Sequence, residues 1–338
     1  MPGDETQLRE ALEALAGRLA AGGSIHNLCK LTGGASQQTW SLDLVSPAGT
    51  EALILRRAGY WTSGGSDQNI ALADEARLQA LLREAGVEVP GVRYVLTDAD
   101  GLGEGYLMER IDGEGNPFRI VNHERYAGAR AHLARQCGEA LGRIHTLATG
   151  ELGFLRATTP RDEIERQREA YRRQGPRRPV LELALRWLQD NCPPPGTPAL
   201  VHGDFRTANL LVDPDGLRAV IDWEMAHLGD PMEDLGWICV NSWRFGHSHL
   251  PVGGFGTREA LFAGYESVTG RPVDPQAVRF WEVYGSLKWG VICRMMAASY
   301  RDGSGGGLEP AVIGRRTSEA EVDLLHLLAP LSGRQDDA

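Results

Sequence analysis

The chain has 338 residues, 42% of them hydrophobic and 24% charged, a balance that suits a globular protein with a sizeable core and a length that favours two domains over one. A formal net charge of −10 excludes broad binding to a nucleic-acid backbone, which needs clustered Lys and Arg, and no apolar run is long enough to cross a bilayer. Five scattered cysteines without a CxxC and an acidic, helix-like N-terminus fit a reducing compartment, with the cytoplasm as the expected location and neither a disulfide framework nor a secretory leader.

In chain order, Leu8, Leu12, Leu15 and Leu19 predict a helix over 6–20 that ends at Gly22-Gly23. Strands are expected at 28–32, 39–45 and 51–57. The alternation of Ala52, Ile54 and Arg56 against Leu53, Leu55 and Arg57 supports the third of these. A helix over 70–85 is stopped by Gly86, and strand-like runs follow near 91–96 and 105–110. Beyond residue 111 the pattern is mostly helical, near 124–148, 161–174, 180–191, 231–242, 257–269, 274–300 and 317–330. Two short strand-like runs at 209–213 and 218–222 interrupt it. The expected fold class is therefore α+β and bilobal, with a small strand-rich lobe over 1–110 and a larger helical lobe over 111–338.

The chemistry concentrates in Leu200–Trp237, LVHGDFRTANLLVDPDGLRAVIDWEMAHLGDPMEDLGW. Phosphoryl transfer to a hydroxyl needs a carboxylate to take the proton, oxygen ligands for magnesium, and a loop that fixes both. Asp204 and Asn209 offer an acid and an amide oxygen five positions apart on one tight loop. Asp222 closes the apolar run Ala219–Ile221 after a turn through Pro214-Asp215-Gly216. Magnesium prefers such a sparse set of hard oxygens, completed by phosphate and water.

The blocks HGDxxxxN, IDWE and GDPxxDL together resemble the aminoglycoside phosphotransferase superfamily, whose fold is similar to that of the protein kinases. The likeness runs from about residue 25 to about residue 240. It implies ATP and magnesium as cofactors, Asp204 as catalytic base, and Asn209 and Asp222 as metal ligands. Arg206 would stand where protein kinases carry a catalytic-loop Lys. It is placed either to neutralise the transferred phosphoryl group or to face the acceptor pocket or solvent. His202 would brace the loop, and Asp230 and Asp234 would support it and cap the next helix. A Gly-Gly turn between strands is by itself a hairpin signal; upstream of such a loop, Gly33, Gly34 and Ser36 become a phosphate lid. The strand position that usually carries Lys holds Arg56, with Arg57 beside it and Glu75 as the helix partner. Arg keeps the charge with a different geometry. Gly105–Glu114 resembles the hinge between lobes, with Met108, Glu109 and Arg110 among the adenine-binding candidates. The first lobe is thus expected to bind nucleotide and the second to hold the catalytic loop and acceptor pocket.

After Asp222 the chain enters GDPMEDL within a few residues, with no DFG and no room for an activation segment. That points to a small-molecule alcohol as acceptor rather than a protein. Trp243, Tyr284, Lys288, Trp289 and Arg294 are candidate pocket liners. The motif details look closer to phosphotransferase domains fused to acyl-CoA dehydrogenases, which favours a hydroxyacyl thioester or another metabolic alcohol. Such an anionic acceptor would give the arginines between Arg161 and Arg178 a use beyond a solvated helix face. The alternatives are an aminoglycoside O-phosphotransferase and, on the strength of Arg56, a catalytically silent nucleotide-binding module. His247 and His249 read as a polar loop before they read as a metal site.

Overall fold

The leucine stripe at the N-terminus folds as α1 (Pro2–Leu19), which buries Leu8, Leu12, Leu15 and Ala16 in one cluster with Trp40, Leu42, Leu44, Leu53, Leu55 and Leu107. The computed structural model describes residues 2–31, 37–58, 69–305 and 307–328. Gly33, Gly34 and Ser36, expected as a phosphate lid, lie outside the described residues. The chain divides into two units, Met1–Gly113 with Arg218–Ala226, and Glu114–Leu217 with His227–Ala338.

In the first unit, β1 (Ser24–Leu31), β2 (Gln37–Ser46) and β3 (Gly49–Ala58) precede α2 (Leu72–Glu84), and β4 (Val92–Val95) and β5 (Gly105–Glu109) follow it. The five strands form one antiparallel sheet in the order β1-β2-β3-β5-β4. Alternation divides the sheet chemically, as period two requires. Leu42, Leu44, Leu53 and Leu55 share the cluster with α1, while Ile54, Ala58, Tyr106 and Met108 pack with Leu72 and Ala76 of α2. Arg56 pairs with Thr39, and Ile54 with Ser41, across the β2–β3 register.

The expected boundary near residue 110 is corrected in one respect. Arg218–Ala226 belongs to the first unit, because backbone bonds carry it there. Val220 donates to Glu88 O at 2.8 Å, and Ile70 donates to Glu224 O at 2.8 Å.

The second unit holds α3 (Pro117–Asn122), α4 (Ala127–His145), α5 (Pro160–Arg172) and α6 (Pro179–Asp190), then β6 (Ala199–Val201) and β7 (Leu210–Asp213). The unit boundary falls within β8 (Gly216–Val220). β9 (His227–Gly229), α7 (Met232–Ile238), α8 (Arg258–Thr269), α9 (Pro275–Asp302), α10 (Glu309–Gly314) and α11 (Thr317–Leu328) complete it. The long α9 is the axis of this unit: α5, α6, α7, α10 and α11 all pack on it. Its Phe280, Trp281, Tyr284, Leu287 and Val291 share a core with Ile164, Leu181, Leu185 and Leu324.

Two helices differ from expectation for local reasons. The helix expected from 124 begins at Ala127, because Glu124–Tyr126 is a 3-10 turn in which His123 Nδ1 accepts the Arg125 N–H at 3.2 Å. The helix expected to 242 stops at Ile238, and the next carbonyl, Cys239 O, is taken by the Arg244 guanidinium at 2.6 Å. The short elements α3, α10, β6 and β9 were not anticipated.

Candidate active site

The motif loop leaves β6, all three residues of which are buried, and is fastened from below by Asp234 of α7. Asp234 Oδ2 accepts the His202 N–H at 2.8 Å, and Oδ1 accepts the Gly203 N–H at 3.0 Å. Burial alone would raise the Asp234 carboxyl, but the hydrogen bond and charge of His145, with His202 nearby, hold it below the usual value. His145 Nε2 lies 3.1 Å from Asp234 Oδ2 and its Nδ1 lies 3.2 Å from Tyr265 Oη. Gly203 sits at φ 79°, in the left-handed region that a residue with a Cβ occupies at a cost. His202 Nδ1 then accepts the Asp204 N–H at 3.2 Å, which puts the ring proton on Nε2. Asp230 Oδ1 accepts the Met232 N–H at 2.9 Å at the entry to α7.

The Asp204 carboxylate is held on both oxygens. Trp237 Nε1 donates to Oδ1 at 2.8 Å, and Asn209 Nδ2 to Oδ2 at 2.8 Å. Arg206 Nε reaches both, at 2.9 and 3.0 Å. Asn209 Nδ2 also donates to Asp204 O at 2.9 Å. Both bonds use the amide nitrogen, leaving the carbonyl oxygen as the atom with which Asn209 can ligate a cation. The Arg206 guanidinium stacks on Trp243 at 5.1 Å.

Within the first unit, Arg56 Nη2 lies 3.2 Å from Glu75 Oε1 and 2.9 Å from Asp222 Oδ1. Glu75 also accepts the Trp223 N–H at 3.2 Å. Asp222 adopts φ 70°, an uncommon conformation for a residue with a side chain and one that collects at functional sites. Burial works against both charges of the Arg56–Glu75 pair. Arg56 is nevertheless held charged by Glu75, Tyr106 and Asp222, whereas burial pushes the Glu75 carboxyl up to about 7 against the pull of Arg56. Glu75 rises because it is wholly buried, is repelled by Asp222 and Glu224, and shares its guanidinium with a second carboxylate. Arg56 Nε is buried and has no hydrogen-bond partner among the described residues, a state that costs about 1–3 kcal/mol unless a ligand acceptor meets it.

The other sequence candidates distribute as follows. Met108 is buried in β5, and the Glu109 carboxylate pairs with Arg83 at 2.9 Å. Arg110 pairs with Asp43 at 2.9 Å. The Glu109 N–H donates to Gly91 O and the Arg110 N–H to Ala52 O, so neither is open to adenine. Tyr284 donates to Glu163 in a buried network with Gln167, and Arg294 is spent on Gln174 O and Pro176 O; neither of these sets of bonds reaches the motif loop. Trp243, Trp289 and Lys288 do gather near it. The arginine-rich stretch is mostly ion-paired. Arg166, Arg168, Arg173, Arg177 and Arg178 face Glu163, Glu165, Glu169, Glu182 and Glu321, which is the solvated-helix reading rather than an anion patch. Among the described residues no His, Cys, Asp and Glu cluster could hold a metal by itself; His247 instead bonds Asn122. Trp237 escaped the sequence reading altogether.

The chain matches the model of the Phosphotransferase enzyme family over residues 27–273. Among curated proteins it is 30% identical over 182 residues to acyl-CoA dehydrogenase family member 10 of Mus musculus. That match covers 50% of this chain and 17% of that protein. It is 29% identical over 199 residues to family member 11 of Gallus gallus, covering 56% and 25%. The chain thus spans a quarter or less of the length of these two relatives. Among solved structures, a Ralstonia eutropha protein assigned to the aminoglycoside phosphotransferases superposes with a TM-score of 0.73 at 23% identity, covering 94% and 97% of the two chains. A spectinomycin phosphotransferase, solved with ADP and spectinomycin, gives 0.65 at 14%, covering 94% and 98%. These likenesses show the kinase-like fold.

Proposed function

The chain belongs to the Phosphotransferase enzyme family, and from that premise we propose that it moves the γ-phosphoryl group of ATP to a hydroxyl of a small molecule, with Asp204 as general base. The observation that carries this reading is the Asp204 carboxylate, oriented by N–H donors on both oxygens and mounted on a loop fastened to Asp234. So oriented, Asp204 takes the proton of the acceptor hydroxyl. That oxygen forms its bond to the γ-phosphorus as the bond to the bridging oxygen breaks, and ADP leaves. Asn209, through its free carbonyl oxygen, and Asp222 would hold magnesium, which neutralises charge on the phosphates when bound. Arg56, with Glu75 as its anchor and Nε unpartnered among the described residues, is suited to grip phosphate oxygens. The adenine contacts fall to hinge carbonyls or to residues past Arg110.

For the acceptor, the Arg206 cation and the indoles around Asp204 suit an alcohol with an apolar or anionic body, such as a hydroxyacyl thioester, better than a polycationic aminoglycoside. The names of the curated relatives point the same way. The presence together of Asp204, Asn209 and Asp222 argues against a silent module.

The test is ADP release from ATP over a panel of hydroxyacyl-CoA esters and aminoglycosides, with and without magnesium. Magnesium-dependent turnover with an alcohol, lost in Asp204→Ala, is the expected result. Tight ATP binding with no turnover across the panel would favour the silent module. Thermal stabilisation by kanamycin-like amines and not by acyl-CoA esters would move the acceptor to the aminoglycoside class.

A further inference from the structure

Trp237 and Lys288 carry an inference that the motif itself does not contain. Of the donors on the Asp204 carboxylate, Arg206 and Asn209 belong to the loop that Asp204 itself occupies, and they move with it. Trp237 comes from α7, 33 residues along the chain, and its indole N–H meets Oδ1 at 2.8 Å. The indole is 4% exposed and tightly seated. A Cβ at Gly285 of α9 would lie 2.9 Å from Trp237 Cε3, and one at Gly236 would lie 2.5 Å from Trp281 Cβ, so α7 and α9 approach at bare backbone beside Trp237. One turn along the same face of α9, Lys288 Nζ lies 4.7 Å from the centre of that ring and donates to Gly203 O at 3.1 Å. Lys288 is 5% exposed, and among the described residues no carboxylate pairs with it. A buried ammonium without a counter-ion is costly, and among the described residues its partners are one indole and the carbonyl that precedes the base.

We propose that Trp237 and Lys288 are a positioning pair for the general base, a role that rests on Asp204 acting as that base. Trp237 fixes the rotation of the carboxylate through its N–H. Lys288 fixes the plane of the indole and, through Gly203 O, the peptide that leads into Asp204. Neither needs to touch substrate. Their effect is on how often the carboxylate stands in line with the acceptor hydroxyl, and small displacements of a reacting group cost on the order of a hundredfold in rate.

Trp237→Phe keeps the ring and removes the N–H; Lys288→Met keeps the stem and removes the charge. Each is expected to lower kcat about ten- to a hundredfold, while the KM for ATP and the ATP affinity by calorimetry stay within about twofold and the melting temperature holds. The double variant should fall little further than Trp237→Phe alone, because both act through one carboxylate. A rate loss matched by weaker ATP binding and a lower melting temperature would make the pair merely structural and overturn the inference, as would full additivity. A readout without turnover is the Trp237 indole proton in a nitrogen-15 correlation spectrum. It should be protected from exchange in the wild-type chain, and lose that protection in Asp204→Ala and, in part, in Lys288→Met. An indole signal indifferent to Asp204→Ala sinks the inference. If Asp204→Ala itself retains wild-type turnover, the assignment of the base fails first. If Asp204→Ala is dead and Trp237→Phe keeps its kcat, the positioning pair alone fails.

Discussion

The two polar clusters differ in how their carboxylates are held. In the second unit, Asp204 is neutralised and oriented by N–H donors from its own loop and from α7, and the loop beneath it is tied to buried Asp234. In the first unit, Arg56, Glu75 and Asp222 form a charge-dense triad in which one guanidinium nitrogen serves two carboxylates. There Nε of Arg56 has no partner among the described residues and Asp222 sits in a left-handed conformation. On the proposed reading, the group that receives a proton in one geometry is served by redundant, fixed donors. Groups that must accept phosphate and metal are served by contacts that can be traded, and by donors left over. The first arrangement is built to stay and the second to exchange.

Breaking the fixed cluster should give the largest effects. Asp204→Ala is expected to lower turnover by about 10²–10⁴-fold, the usual share of a general base. ATP affinity should stay near wild type, because the triad of the first unit is untouched; a parallel collapse of ATP binding would erase the contrast. Asp234→Ala follows. It strands the N–H groups of His202 and Gly203 and the ring of His145 in a buried site, at a cost of about 3–5 kcal/mol by chemical denaturation. Because the Asp234 carboxyl is held below its usual value, its contribution is complete above the ordinary carboxylate range and is lost as pH falls through the depressed native value. The gap between Asp234→Ala and wild type should therefore close in acid.

The exchangeable cluster should respond with the opposite pH sign. Burial raises Glu75 from 4.5 to about 7, so between those values the native chain holds a proton that the unfolded chain has released. Stability from this group then falls as pH rises across that window and levels off above it. Glu75→Gln removes the titration while keeping an oxygen for the Trp223 N–H, so its stability relative to wild type should improve from pH 5 to pH 8. A constant difference between the two proteins at both pH values would mean that Glu75 is ionised throughout and that the triad is as fixed as the Asp204 cluster.

The same contrast governs what was legible in the sequence. Asp204, Asn209 and Asp222 stand in one short block, and Arg56 and Glu75 follow from strand alternation and the next helix, so local spacing carried them. Long helices with strong periodicity were placed to within a few residues; α5, α6, α8 and α9 are examples. Trp237 was not legible, since a tryptophan in a helix reads as core and its partner lies 33 residues away. The membership of Arg218–Ala226 in the first unit rests on backbone bonds to Glu88 and Ile70, which leave no trace in side-chain pattern. The short α3 did carry a readable start, Asn116 as cap and Pro117 in the first turn, but at six residues it has too little periodicity to stand out.

The arginine-rich helix α5 supplies the smallest expected effect and a check on where anionic groups bind. Charge count alone makes Arg161–Arg178 look like a patch, yet its side chains largely face glutamates on the same or adjacent helices. Arg173 lies 3.5 Å from Glu169 with its side chain 76% exposed, where an i,i+4 pair contributes about 0.3–0.5 kcal/mol and salt screens it. Arg173→Ala should change stability by no more than about 0.5 kcal/mol and leave the KM for every acceptor unchanged. A several-fold rise in KM confined to anionic acceptors would restore the patch as a binding surface. It would also move recognition of the acceptor's charge away from Arg206, on the loop side of Asp204, to a helix whose cations are otherwise answered by their own carboxylates.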